Sequence, residues 1–295
     1  MAMTGEHRSV PFALGTFSVS GSPGFVAFVF EDGATVSLHA VLPLAAKLGL
    51  HLGDMTSLFD LLQDWDRNFA TLCRLADCLA YDDAANGYRG DFTSEDFLHA
   101  LKPLRGTRQI FRALAGADAF LSVPTTVLGD PADPILLSDE LRQLKPNFCL
   151  AAIFGRMGRN MSAEQSENSI AGYMMATELV RSDMNSGMGR LSAPGTLITG
   201  PLFVPQAFLR DFVSMQFMIA LNGNEIQRDT LARMADGVFK KASELSHRVL
   251  LLPGDVLLTG LADKPETQAV VEGDILETIA SGFGRQHINI QQRNA

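Results

Sequence analysis

Cysteine is scarce, with three in 295 residues. Cys73, Cys78 and Cys149 are too few and too unevenly placed for a disulfide framework, and the first two do not have the spacing of a zinc hairpin. A reducing compartment is the expected home. Positive charge is also in short supply: 24 Lys and Arg face 33 Asp and Glu, for a formal charge of −9. Nucleic acids and anionic membranes call for a basic face, so neither is an expected partner. Long apolar runs are missing as well. None approaches the ~20 residues of a membrane span, and the opening MAMTGEHRSVPF shows no apolar signal core or cleavage site. A soluble, cytoplasmic protein is expected. Disorder is excluded, because 46% of residues are apolar and only 19% charged.

What is present suggests a mostly β chain. Gly24–Phe30 and Ala34–Val41 are apolar segments joined by Glu31-Asp32-Gly33, a hairpin signal. Over residues 55–80, Leu58, Leu62, Trp65, Phe69, Leu72, Leu75 and Leu79 recur at helical spacing, which predicts one amphipathic helix with a core-facing stripe. Residues 81–100 are looser and polar, so a boundary between a small domain (1–100) and a larger one (101–295) is placed there. Beyond residue 119, short apolar segments alternate with Pro, Gly and Asp turns, which predicts many strands. Two helices are expected to interrupt them. One opens at the capping box Ser162-Ala-Glu-Gln165 and continues to about Ala176; the other covers 229–247.

Four ordered segments resemble the fumarylacetoacetate hydrolase superfamily. The first is Leu150-Ala-Ala-Ile-Phe-Gly155-Arg-Met-Gly-Arg-Asn160-Met-Ser162, and the second is Ile170-Ala-Gly-Tyr173-Met-Met-Ala-Thr-Glu178-Leu-Val-Arg-Ser-Asp183. The third runs from Pro194-Gly195 through Thr199-Gly-Pro201-Leu-Phe-Val-Pro205 to Leu221-Asn-Gly223 and Gln227. The fourth is Leu252-Pro-Gly-Asp255-Val-Leu-Leu-Thr-Gly260, followed by Glu272-Gly-Asp274 and Gly282-Phe-Gly284. The resemblance covers residues 103–290. It implies an α+β, mostly β fold, with a mixed β-roll C-terminal domain and a small β-rich N-terminal domain. It also implies a homodimer, and a site where a hard divalent cation chelates a 2-oxo or 1,3-dicarbonyl acid.

The same comparison shows where the chain departs from the family. The E-x-E metal positions, counted back from Gly155, are Asn147 and Cys149. They sit two apart, so both leave one face of a strand, but a thiol is too soft for magnesium. The Asp of the family's N-D pair is Glu178, preceded by Thr177. Its two lysines fall at Ser122 and Leu191, its second loop hydroxyl is replaced in Thr259-Gly260-Leu261-Ala262, and no His follows Arg112 where the catalytic lid is expected.

The resulting expectation is an enzyme on a small keto or β-dicarbonyl compound that uses neither metal nor cofactor. Hydrolysis of a C–C bond, decarboxylation, hydration and isomerisation all stay open. The rival is a catalytically inactive relative that keeps the fold and binds a keto-type ligand or an active paralogue. Glu178 is the catalytic candidate, as a base among apolar neighbours such as Met174 and Met175. Asn147, Cys149, Ser122, Tyr173, Thr259 and Gly260 are the candidate substrate contacts. Arg181 and Asp183 read more simply as a structural salt bridge, and His247 as a helix-end residue favoured by the C-terminal dipole.

Overall fold

The computed structural model describes residues 9–19, 23–53, 57–88, 99–114, 119–138, 143–181, 193–209, 212, 214–235, 237–260 and 267–292. Asp183, Leu191, Leu261 and Ala262 lie outside these residues, as does most of the expected boundary near residue 90. The chain begins with strands β1 (Phe12–Ser18), β2 (Phe25–Phe30) and β3 (Thr35–Ser37). Helices α1 (Leu42–Lys47), α2 (Leu58–Leu62) and α3 (Trp65–Tyr81) follow. Next come β4 (His99–Leu101), β5 (Ile110–Ala113), β6 (Phe120–Val123), β7 (Leu128–Gly129), β8 (Ile135–Leu137) and the long β9 (Leu144–Phe154). Helix α4 (Ala163–Ser169) leads into β10 (Ile170–Arg181), then β11 (Leu197–Pro205), β12 (Gln216–Leu221) and β13 (Asn224–Thr230). Helices α5 (Ala232–Ala235) and α6 (Val238–Ser246) precede β14 (Val256–Gly260), β15 (Ile275–Ala280) and β16 (Gly284–Gln292).

The strands form two sheets. The larger has the order β3-β2-β1-β11-β10-β9-β14-β5-β6, with β4 on β1 and β7 on β11; the smaller is β13-β12-β15-β16-β8. The N-terminal hairpin therefore continues the larger sheet, through β1 against β11 (Leu14 opposite Phe203). A helix layer, the large sheet and the small sheet stack in that order. On one face of the large sheet, the stripe Leu58, Leu62, Trp65, Leu72, Leu75 and Leu79 packs against Leu14, Phe28, Cys149, Met174 and Phe203. Trp65 meets Phe203 edge-on at 5.4 Å. On the other face Phe148 stacks on Phe217 at 4.0 Å, joining the two sheets with Met175, Leu257 and Leu276. Because β9 and β10 are covered on both faces, almost every residue in them is buried, as expected of central strands.

Three helix expectations need correction. The helix predicted over 55–80 is two helices, since Asp64 leaves helical geometry at φ −136° and ψ 59°. The break frees the Leu61 carbonyl, and the buried Asn68 side chain donates to it at 2.8 Å. Asn68 Oδ1 accepts in turn from the Gly53 amide at 3.0 Å. The capping box at Ser162 is real, with Gln165 N donating to Ser162 Oγ and Ser162 N to Gln165 Oε1. Its helix nevertheless stops at Ser169. The apolar run Ile170–Leu179 is then a doubly buried strand, which short periodicity cannot distinguish from a buried helix. The third helix is split by Gly237, which turns left-handed at φ +73°, a conformation that favours glycine.

Candidate functional site

The site forms where β5, β9, β10 and β14 lie side by side. Antiparallel pairing sets Glu178 of β10 opposite Asn147 of β9, and Ala176 opposite Cys149. On the next strand Gly260 stands opposite Cys149, and Leu258 stands opposite Arg112 of β5. Side chains alternate between faces along a strand. Asn147, Cys149 and Glu178 consequently converge on the helix-layer face, as does the Arg112 side chain.

Glu178 is 2% exposed, Cys149 0%, and Asn147 and Arg112 5% each. Glu178 Oε2 accepts from Asn147 Nδ2 at 3.2 Å and from Cys149 Sγ at 3.6 Å. Glu178 Oε1 pairs with Arg112 Nε at 3.3 Å. Asn147 Nδ2 also lies 3.4 Å from Cys149 Sγ. Burial works against the Arg112 charge, yet the Coulombic pull of Cys149 and Glu178 prevails and holds its pKa above the ordinary guanidinium value. Arg112 Nη1 is buried without a hydrogen-bond partner. Half-buried Gly260 makes room for this group, since a Cβ there would stand 2.8 Å from Nη2 and 2.9 Å from Nη1.

Of the seven residues singled out from the sequence, Glu178, Asn147, Cys149 and Gly260 come together. The other three do not. Tyr173 lies on the opposite face of β10, in the core between the sheets and edge-on to Phe212. Its hydroxyl has no partner, and burial pushes its pKa well above the usual phenol value. Thr259 faces that same side and donates to the Leu150 carbonyl at 3.3 Å. Ser122 is exposed opposite Phe111, again on the far face. These are corrections of parity: an odd step along a strand reverses the side chain. The expected surroundings of Glu178 also change, because a guanidinium, an amide and a thiol touch the carboxylate. Arg112 is the residue that sequence reading missed. No local signal marks it, because only the pairing of β14 with β5 and β9 brings it to the carboxylate.

Other prominent residues have structural roles. Asp255 Oδ2 accepts from the Leu252 amide and from Gln109 Nε2, both at 2.8 Å, so the Pro-Gly-Asp segment is a locked turn. Asp274 does the same for its turn, accepting from the Val271 amide and Asn222 Nδ2. His247 ends α6, with Nδ1 2.7 Å from the Ser243 carbonyl.

The profile of the fumarylacetoacetate (FAA) hydrolase C-terminal family matches residues 104–291. The chain belongs to that family. Among curated relatives, the oxaloacetate tautomerase YcgM of Escherichia coli is 28% identical over 148 residues, 48% of this chain and 68% of the relative. The mitochondrial oxaloacetate tautomerase FAHD1 of Bos taurus is 23% identical over 51% of this chain and 74% of its own. Among solved structures, maleylpyruvate hydrolase from Sphingobium sp. SYK-6, in complex with manganese(II) and pyruvate, superposes with a TM-score of 0.73. It is 18% identical, and the match covers 96% of this chain and all of that one.

The family resemblance implies a divalent cation at Asn147, Cys149 and Glu178, and the residues do not fit one. A hard cation needs six or more oxygen lone pairs around it. Here the groups facing the one carboxylate are an amide N–H, a thiol and a guanidinium N–H, which are donors. The guanidinium already supplies positive charge at 3.3 Å. Among the described residues no cluster of three or more His, Cys, Asp or Glu gathers anywhere.

Proposed function

We propose that this protein is an enzyme that moves a proton beside the carbonyl of a small 2-oxo or 1,3-dicarbonyl acid, without a divalent cation. The observation that carries this reading is the buried Glu178 carboxylate, gripped by Asn147, Cys149 and Arg112, at a position that the family resemblance implies for a metal ligand. The relatives named as oxaloacetate tautomerases support the reaction class. In the forward step Glu178 takes the proton from the carbon next to the carbonyl. The C–H electron pair becomes the enolate double bond, and the carbonyl oxygen becomes the oxyanion. Asn147 Nδ2 and the Arg112 guanidinium are the donors near enough to stabilise that oxygen, a preorganised electrostatic role. Return of the proton to oxygen, or to another carbon, completes an isomerisation. One carboxylate suffices for such a transfer, whereas hydrolysis also needs an activated water.

The test is a screen of acylpyruvates, β-diketones and 2-oxo acids in EDTA. Turnover is expected, and Glu178→Gln should lower kcat by about 10²-fold or more, the usual worth of a general base. Full activity in Glu178→Gln on a confirmed substrate would show that Glu178 is not the base. A second reading is a binding protein without catalysis, favoured by the fact that Arg112 already occupies Glu178 Oε1. Binding of a keto acid with no turnover would establish it. A homodimer is part of the same proposal, and light scattering should report twice the 31.9 kDa of one chain.

A further inference from the structure

We infer that the Arg112 guanidinium is itself the cation of this site and receives the carboxylate of the acid substrate, an inference that rests on the reading of Glu178 given above. Four observations carry it. Arg112 is 5% exposed and Nη1 has no partner, although a buried guanidinium ordinarily satisfies its donors. Glu178 meets the group at Nε, which leaves the terminal fork of Nη1 and Nη2 outside the pair. That fork is the edge a carboxylate takes with two parallel hydrogen bonds. Glycine at 260 is what lets the fork lie there uncrowded, since a Cβ would stand 2.8 Å from Nη2 and 2.9 Å from Nη1. Finally, the neighbouring Asn147 and Cys149 donate to Glu178, so the cluster is built from hydrogen-bond donors suited to an anion and not from lone pairs suited to a metal.

The arrangement also gives Glu178 a reason to act. Arg112 and Glu178 alone are neutral together. An arriving carboxylate makes the buried group net negative, and it competes for the guanidinium that holds Oε1. Transfer of the proton from the substrate carbon beside the carbonyl to Glu178 keeps the total charge, moves the negative charge from Glu178 to the enolate oxygen and ends the competition for the guanidinium at Oε1. Substrate binding and base activation are then one event.

The experiment uses oxalate, a planar analogue of the enolate form of a 2-oxo acid, titrated calorimetrically into the full chain. Wild type should bind with the same affinity in EDTA and in millimolar magnesium. Arg112→Met should weaken binding by at least about tenfold, the worth of a hydrogen bond between charged groups, and Arg112→Lys should recover part of it. Should Arg112→Met not fold, Gly260→Ala keeps the charge and crowds the fork, and a comparable loss is expected. Oxalate binding that needs magnesium, that survives Arg112→Met or a folded Gly260→Ala unchanged, or that wild type lacks at millimolar concentration would overturn the inference. Failure here is separable from failure of the enzymatic reading. Arg112-dependent oxalate binding without turnover of any acid removes the catalysis and keeps the receptor. Turnover with binding indifferent to Arg112 does the reverse.

Discussion

Two buried polar clusters sit on opposite faces of the same strand, one residue apart. Thr177 points toward the small sheet, donates to Gln286 Oε1 at 2.6 Å and lies 2.8 Å from the Thr278 hydroxyl. Gln286 Nε2 then donates to the Ile198 and Gly200 carbonyls at 3.2 and 2.7 Å. Every group named there has a partner, and the cluster clamps one sheet onto the other. Glu178 points the other way into a cluster that holds a full charge of each sign and ends on the unpartnered Arg112 Nη1. A satisfied network rigidifies a core; an unsatisfied one stores a cost that a ligand can remove. The Tyr173 hydroxyl is also without a partner, but a neutral phenol costs far less to leave dry than a guanidinium nitrogen. The satisfied face of β10 is structural, and the unsatisfied face is the one that the proposed function gives to chemistry.

The largest expected effect comes from breaking the charged cluster. Arg112→Met leaves Glu178 buried with no counter-charge, and the loss should be about 3–5 kcal/mol of stability in urea denaturation. Glu178→Leu added to Arg112→Met removes the stranded charge and should restore most of that loss, because replacing both partners of a buried pair by apolar groups is often neutral. If the double substitution is as unstable as the single one, the stranded carboxylate is not what Arg112→Met exposes.

Thr177→Val should cost less, about 1–3 kcal/mol, the price of an unsatisfied buried acceptor at Gln286 Oε1. It should leave oxalate affinity unchanged. A drop in affinity without a drop in stability would mean that the two faces of β10 are not separate in function.

Much of this division was legible in the sequence. Asn147 and Cys149 two apart in an apolar run already placed both on one face of a strand, and the structure has them so. The Gly and Pro turns marked the strands, and the capping box at Ser162 marked its helix start. Tyr173 was singled out from the family-like segment without regard to which face of the element it occupies. Five residues separate it from Glu178, and in a strand an odd separation means opposite faces. Thr259 and Gly260 are adjacent, so one of them had to face away. Arg112 was illegible for another reason. It belongs to a strand 35 residues before Asn147, and nothing local says that β14 will lie between β5 and β9. Only the non-local pairing of Leu258 with Arg112 and of Gly260 with Cys149 brings the guanidinium to the carboxylate.

The smallest expected effect is none at all, and it bears on the same comparison. If the Glu178 face were a vestigial metal site, millimolar magnesium or manganese would still favour the folded state. Ligand present at roughly a hundred times its dissociation constant stabilises by about 2.7 kcal/mol, which a thermal-shift measurement resolves easily. The donor set argues for no shift. The one carboxylate is surrounded by N–H and S–H groups, and a divalent ion approaching Glu178 meets the Arg112 charge first. Displacing that guanidinium would leave it buried and unpaired, a cost comparable to breaking the pair by mutation. Identical melting curves with metal and with EDTA are therefore expected. The same pair of curves for Arg112→Met sharpens the argument: with the guanidinium gone the carboxylate loses its counter-charge, and any metal-dependent stabilisation that exists should emerge there first. A shift in wild type of more than about 2 kcal/mol would show that a divalent ion outcompetes Arg112 for Glu178, and that this face is still a metal site.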